Sequence, residues 1–408
     1  MSKGNIATSM SGGNRRVLLA TLAFAGGGVN TMAKFAVSLL REKHFEPVAA
    51  CYLAYSVDPS ASVPIWALPF RRPRARAYRD EDGLEIHEIG AWFPEFEFLH
   101  EYPHGAWKEL VACSRHNIAV VGSPVGALPF HRLGVPHLVW AATPWLDDRV
   151  ARKSSINIGR RTLDALMNGP LCRALEKRIV REGKTVALSV YTRNALNRLA
   201  GGRFVREVLP VPPEKSLFFP EPGHVIPGRI GFVGRLLDSR KNVALLFEAL
   251  ALCRRQGLDV KGYVVGGRGC LTPETFGMLR MHGMEDSITV IPFLARHRLR
   301  DFLRTLDLFV LPSRQEGLCI AALEAMACGI PIVSTKCGGP EEFVHEGVNG
   351  FLVSHTAEEM ASRISEIVSN RVLRESLSRG AIETISADYS RKRCAAAFWA
   401  AFDEQFGG

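Results

Sequence analysis

Between Val310 and Val353 the chain reads VLPSRQEGLCIAALEAMACGIPIVSTKCGGPEEFVHEGVNGFLV. The apolar run LDLFVL leads into it and stops at the polar turn Pro312-Ser313-Arg314-Gln315. Glu316-Gly317 then opens a stretch of helical patterning that ends at Gly329, and Ile330-Pro331 leads to a second apolar run. Strand, turn, helix, strand in this order is a parallel βαβ unit. A helix entered through glycine turns free backbone N–H groups and the positive end of its dipole toward whatever sits there, which suits an anion. Two carboxylates, Glu316 and Glu324 with seven residues between them, flank that end. Carboxylates beside an anion site fit a ligand that brings hydroxyls as well as phosphate.

The spacing E-x7-E, followed by EAMACGIPIVST and GGPEEFVHEGVNGFLV, resembles the donor-binding region of retaining glycosyltransferases of family 4. The resemblance implies a GT-B fold: α/β, two Rossmann-like doubly wound domains facing a central cleft. It is specific from about Val211 to Tyr389 and only topological before that. The implied divisions are a disordered tail over 1–14, an acceptor-binding domain over 15–210, a nucleotide-sugar donor domain over 211–388, and a final helix over 389–408 that crosses back to the first domain.

The same resemblance implies roles for particular residues. Arg235 and Lys241, in GFVGRLLDSRKNVALLFEALALC, correspond to the family's diphosphate loop. Glu316 would meet the donor sugar and Glu324 the ribose hydroxyls, with Gly317 and Leu318 beside them. The backbone of Phe293 and Leu294 would hold the nucleobase, with Ala295 where the family has glycine. Gly27 and Gly28, in the turn Gly26-Gly27-Gly28 after the first strand, would let the backbone approach donor phosphate and acceptor. Glu316, Arg235 and Lys241 would be the catalytic set. One position departs from the pattern: the family carries a histidine just after a strand that here ends Trp140-Ala141-Ala142-Thr143, and His137 comes too early, inside the strand.

The implied activity is transfer of a sugar from a nucleoside-diphosphate sugar to a saccharide or lipid-linked saccharide, with no cofactor, no metal and no nucleic-acid partner. A GT-B-shaped epimerase or phosphorylase and a non-catalytic nucleotide-binding module are the alternatives. A nicotinamide dehydrogenase fits poorly, since Thr31 stands where the last glycine of that fingerprint belongs.

Over 408 residues the chain carries 51 Lys and Arg against 41 Asp and Glu, a net charge of +10 that points to an anionic partner. The run Arg71, Arg72, Arg74 and Arg76 and the cations Arg160, Arg161, Arg173, Lys177, Arg178 and Arg181 raise an anionic membrane surface as that partner. Nine cysteines without a C-x-x-C pair read as reduced thiols. The expected location is cytoplasmic, at the inner face of the membrane if the basic regions bind it. Arg15-Arg16 before VLLATLAFA resembles an export leader, but the glycine turn and helix that follow favour a first strand.

The expected elements of the first half are a strand over Arg16–Ala25, a helix capped by Asn30, a strand over Glu46–Tyr55, and strands at Ile118–Gly122 and Val135–Ala142. A basic helix over Leu163–Arg181, broken at Gly169-Pro170, completes them. Asp80-x-Asp82 before Gly83 reads as a solvated turn.

Overall fold

The computed structural model describes residues 15–22, 27–68, 70–151, 157–221, 223–267 and 269–407. The expected tail over 1–14, and Gly26 of the glycine turn, lie outside the described residues.

Among the described residues, thirteen strands form two sheets. The first comprises β1 (Arg16–Thr21), β2 (Glu46–Tyr52), β3 (Ala75–Arg79), β4 (Glu85–Ile89), β5 (His116–Val121), β6 (Leu138–Ala141) and β7 (Lys184–Ala187), in the order β3-β4-β2-β1-β5-β6-β7. All pairs are parallel except β3 with β4. The second comprises β8 (Arg229–Val233), β9 (Lys261–Val265), β10 (Ile288–Ile291), β11 (Leu308–Leu311), β12 (Ile332–Thr335) and β13 (Gly350–Val353), in the order β10-β9-β8-β11-β12-β13, all parallel. These are two Rossmann-like sheets. Their inner strands are continuous apolar runs because helices cover both faces; β5 and β11 are almost wholly buried.

Strand order reverses at β1/β5 and at β8/β11. Loops at the carboxyl ends of strands beside such switch points are where open α/β sheets bind ligands. The glycine turn follows β1, the Arg235–Lys241 loop follows β8, and the Glu316 loop follows β11.

The chain's last helix, Arg391–Phe406, lies against the first sheet's half. Phe402 and Trp399 pack on Phe45, Phe398 on Trp140 and Phe406 on His116. Lys184 reaches Glu404 at 2.6 Å, and Arg391 pairs with Glu42.

Several local expectations need correction. β1 ends at Thr21, and residues 23–26 lie outside the described set. The first helix, Gly28–Glu42, takes Gly27 as its N-cap with no side-chain cap, so Asn30 sits within its first turn. β2 ends at Tyr52; Leu53 N–H still donates to Ile89 O (2.8 Å), and the chain turns from Tyr55. His137 lies just before β6, outside the strand; its Nδ1 is 2.8 Å from Val135 O, and burial lowers its pKa. Pro170 does not break the basic helix. A π-helical turn over Asp164–Asn168 precedes it, and Gly169 N–H reaches back to Asp164 O. Widening the helix ahead of proline takes up the bond that its missing N–H cannot make. Asp80 closes the β3–β4 hairpin, its Oδ1 accepting from Asp82 N–H (3.1 Å) and Leu84 N–H (2.8 Å).

Candidate functional site

The Glu316 loop is framed by the backbone on either side of it. Glu316 N–H donates to Cys337 O (2.7 Å), and Gly339 N–H donates to Glu316 O (3.0 Å). Thr335 Oγ1 donates to Ser313 O (2.5 Å). A side chain at Gly338, where φ is +105°, would put its Cβ 2.8 Å from Glu316 O and 2.9 Å from the Tyr191 ring. Glycine is therefore required there both by conformation and by space. The helix that follows, Ile320–Ala327, is entered through Cys319 with φ 68° and ψ 74°, a left-handed conformation rare for a residue with a side chain. Among the described residues no acceptor takes the N–H groups of Leu318, Cys319 or Ile320. These N–H groups leave the helix end able to take an anion.

Glu316 is buried, and its Oε1 accepts from Lys241 Nζ (2.6 Å) and from Ser313 Oγ (2.7 Å). The acid and the base come from loops after β11 and β8, brought side by side because those strands are neighbours. A buried ion pair is a poor source of net stability, since desolvation offsets the attraction. It does hold a negative and a positive pole next to each other, matched to sugar hydroxyls beside a phosphate.

Glu324 is equally buried but faces different neighbours. Arg296 lies 3.4 Å from its Oε1 and 3.3 Å from Glu214. Burial pushes the Glu324 pKa up to about 7; Arg296 pulls it down and Glu214 adds to the rise. Arg296 begins the helix Arg296–Arg304, which directly follows Phe293-Leu294-Ala295. Glu324, Phe293 and Leu294 thus share one end of the site, while Glu316 and Lys241 form the other. Phe293 is largely exposed, and its N–H donates to Gly267 O (3.0 Å). Arg235 is exposed too and pairs with Asp238 (3.1 Å).

The first half closes the other side. A Cβ at Gly28 would meet Ile320 Cδ1 at 3.5 Å, and one at Gly317 would lie 2.5 Å from Ala142 O. Gly27 has φ +96°, and its O accepts from Thr31 N–H (3.2 Å). Leu318 is buried behind the loop. Of the residues predicted from sequence, Glu316 thus meets Lys241, Gly28 and Gly317 approach the facing half, Glu324 meets Arg296, and Arg235 stands at the surface.

Sequence reasoning missed the residues that join the two halves. Arg240 is buried between Asp148 Oδ1 (2.7 Å), Asp238 Oδ2 (3.0 Å) and Gln315 Oε1 (3.2 Å). Gln315 Nε2 donates to Thr143 Oγ1 (3.3 Å), just past β6 where the family pattern has histidine. Tyr191 N–H donates to Glu342 Oε1 (2.7 Å), and Tyr191 OH to Asp147 Oδ2 (3.0 Å). The only sequence signal was four charges, Arg235, Asp238, Arg240 and Lys241, within seven residues after a strand.

A second polar cluster lies in the first half. Glu97 accepts from Trp145 Nε1 (2.6 Å) and pairs with Arg149 and Arg160. Asp164 lies 3.1 Å from Arg160 and 3.4 Å from Arg149. Arg160, expected among the cations facing a membrane, is thus engaged internally. Glu176 is fully buried, accepting from Ser123 Oγ (2.7 Å) and Trp145 N–H (2.8 Å), and burial raises its pKa to about 7. Among the described residues no group of three His, Cys, Asp or Glu is placed to hold a metal ion.

Residues 227–370 match the family model described as Glycosyl transferases group 1. That span covers β8 to β13, the Lys241–Glu316 pair and Glu324. Over 155 residues the chain is 32% identical to D-inositol 3-phosphate glycosyltransferase of Rhodococcus erythropolis, covering 36% of this chain and 34% of that protein. Over 160 residues it is 29% identical to alpha-D-kanosaminyltransferase of Streptomyces kanamyceticus, covering 39% of this chain and 41% of the relative. The chain thus spans less than half the length of these curated relatives. Whole-chain likeness is to the fold. Sucrose-phosphate synthase of Thermosynechococcus elongatus superposes with a TM-score of 0.70 at 16% identity, over 96% of this chain and 99% of that one. HepE of Anabaena, in complex with UDP-glucose, gives 0.70 at 15% identity, over 95% and 99%. The fold is GT-B.

Proposed function

We propose that the protein is a retaining glycosyltransferase of family 4 that moves a sugar from a nucleoside-diphosphate sugar to a saccharide or lipid-linked saccharide. The observation that carries this reading is the buried Glu316–Lys241 pair, 2.6 Å apart, at the carboxyl ends of two neighbouring strands and opposite the glycine turn. The match to Glycosyl transferases group 1 over the same residues supports it.

The donor lies along the cleft, its base and ribose toward Phe293, Leu294 and Glu324 and its sugar toward Glu316. Glu324 accepts from the ribose hydroxyls when ionised. As the sugar–oxygen bond breaks, negative charge gathers on the diphosphate. Lys241, Arg235 and the N–H groups of Leu318, Cys319 and Ile320 hold it. Glu316 accepts sugar hydroxyls and stabilises positive charge developing at the anomeric carbon. The acceptor oxygen bonds to that carbon on the face the diphosphate leaves, and its proton passes to a phosphate oxygen, so configuration is retained. Two side-chain cations and a helix end serve this chemistry without a metal. The site of action is cytoplasmic, and the product class is a surface polysaccharide or its lipid-linked precursor.

The experiment is a thermal-shift screen against uridine, guanosine and adenosine diphosphates and their sugars, followed by nucleoside-diphosphate release and NMR of the product's anomeric centre. A donor that raises the melting temperature, releases its diphosphate and yields a product of unchanged configuration is expected. Isomerised donor would instead identify an epimerase. Binding without release from any sugar would identify a nucleotide-binding module.

A further inference from the structure

Two basic regions stand out in the first half. In the helical region Arg160 is held by Glu97 and Asp164, Arg178 by Glu182, and Arg181 by Ala200 O over the Phe204 ring, while Arg173 and Lys177 have no ion pair among the described residues. In the arginine run before β3, unpaired cations adjoin an exposed Trp and Phe. Arg76 pairs with Glu88 and Arg79 faces Glu85. Arg71 donates to the carbonyls of Pro59 and Ser60, which leaves its charge uncompensated. Among the described residues no carboxylate lies within ion-pair distance of Arg71, Arg72 or Arg74.

Beside these arginines stand three large apolar side chains left open to water. Phe70 is 87% exposed, Trp66 71% and Ile65 58%. Their backbone is pinned. Ile65 N–H donates to Glu95 Oε1 (3.3 Å), Ala67 N–H to Pro64 O (2.9 Å) and Phe70 N–H to Ala67 O (3.1 Å). Arg74 N–H donates to Ala61 O (2.8 Å), and Gly90 N–H to Arg74 O (2.8 Å). Ala61, Val63 and Ala67 are buried beneath. Hydrogen bonds thus hold the chain in place while its aromatic side chains face water. A cluster of exposed apolar side chains on a fixed backbone marks a surface that something else covers.

We propose that this knuckle docks on an anionic lipid bilayer, with Trp66 and Phe70 entering the headgroup layer and Arg71, Arg72 and Arg74 meeting lipid phosphates. Aromatic side chains favour the interface because their rings tolerate both lipid and water. Guanidinium groups beside them match phosphate oxygens. Exposed rings beside unpaired arginines suit a fluid, charged surface, which needs no matching shape, better than they suit a folded partner. Free phosphate would leave Trp66 and Phe70 uncovered. The knuckle lies before the β3 edge of the first sheet, away from the Glu316 loop in sequence and in fold. The proposal therefore goes beyond sugar transfer and stands even if the donor reading fails.

The test is co-sedimentation of the full chain with vesicles of phosphatidylglycerol and phosphatidylcholine, or of phosphatidylcholine alone, at low and high salt. Binding to the anionic vesicles is expected, fading as salt rises because exposed charges are screened. Trp66→Ala/Phe70→Ala should weaken it by about tenfold or more, with an unchanged melting temperature because these side chains are exposed. Arg72→Glu/Arg74→Glu should also weaken it and flatten its salt dependence. Arg173→Glu/Lys177→Glu, in the helical region, should leave it near the unsubstituted level. Equal binding to both vesicle types at low salt would overturn the proposal. So would a loss in the helical variant with none in the knuckle variants, or a stable complex with a soluble protein through Trp66 without vesicle binding.

Discussion

The two polar clusters are built differently. Around Glu316, polar groups sit in a frame of backbone hydrogen bonds and glycines, with Glu316, Ser313 and Lys241 on loops after the central strands β11 and β8 and Glu324 on the helix that follows Glu316. Glu316 Oε1 lies 2.6 Å from Lys241 Nζ and 2.7 Å from Ser313 Oγ, and Glu324 meets Arg296. In the first half, Glu97 comes from a turn distant in sequence to meet Trp145, Arg149, Arg160 and Asp164. The Glu316 cluster is held in a fixed shape, and the proposed function assigns it to the donor. The Glu97 cluster is assembled from loops and helices that can vary without disturbing either sheet.

If that contrast is right, substitutions on the donor side should act on defined steps. The largest effect belongs to Glu316. Glu316→Gln should lower kcat by about 100- to 1,000-fold, the scale of losing one group that stabilises developing charge, with little change in nucleoside-diphosphate affinity. Steady-state kinetics with calorimetry checks both. Lys241→Met comes next. It removes an ionic hydrogen bond to the diphosphate, about 1.5–3 kcal/mol in binding, and strands Glu316 as a buried unpaired charge, about 3 kcal/mol in stability. The double variant Lys241→Met/Glu316→Gln should regain most of the melting temperature and none of the activity. If the double variant is no more stable than Lys241→Met alone, the pair is not coupled as the structure has it.

Glu324 sharpens the comparison through pH. Its carboxyl titrates near 7 when folded, against an ordinary value of 4.5. Between those values the folded chain holds a proton that the unfolded chain releases, so this group's contribution to stability falls as pH rises from about 4.5 to about 7. Glu324→Gln should therefore raise the melting temperature above pH 7, by up to about 3 kcal/mol of stability, and give no gain below pH 4.5. The same substitution should raise the donor KM with kcat nearly kept. In the unsubstituted protein donor KM should rise as pH falls below 7, because a protonated carboxyl is a weaker acceptor for ribose. Melting curves and kinetics across that range test both signs.

Smaller effects are expected at the edge. Arg235 is exposed and already paired with Asp238, so Arg235→Ala should weaken diphosphate binding by less than Lys241→Met does, about threefold on the scale of exposed ion pairs. An equal or larger loss at Arg235 would move the diphosphate toward solvent.

The same contrast explains what could be read from sequence. The βαβ stretch around Glu316 was legible because each buried strand is a continuous apolar run and each turn is marked by glycine or proline. Glu316 and Glu324 stood out because their spacing is local to that unit; Lys241, 75 residues from Glu316, stood out only through its loop's resemblance to the family's diphosphate loop. Arg240 with Asp148, and Gln315 with Thr143, were not: the second pair is 172 residues apart and meets only once both sheets have formed. Arg160 looked like a surface cation because Glu97 comes from a distant turn, although its other partner, Asp164, stands at helical spacing four residues on. Trp66 and Phe70, by contrast, look like ordinary core residues in sequence, and only their exposure marks them.

The central claim is that one nucleoside diphosphate lies between the Glu316–Lys241 pair and Glu324. A crystal structure with the diphosphate selected by the thermal-shift screen tests it most directly. The account predicts phosphate oxygens within hydrogen-bond distance of Lys241 Nζ and of the N–H groups at Leu318 to Ile320, with the ribose hydroxyls on Glu324. A diphosphate bound elsewhere, with Lys241 and Glu324 both untouched, would contradict it.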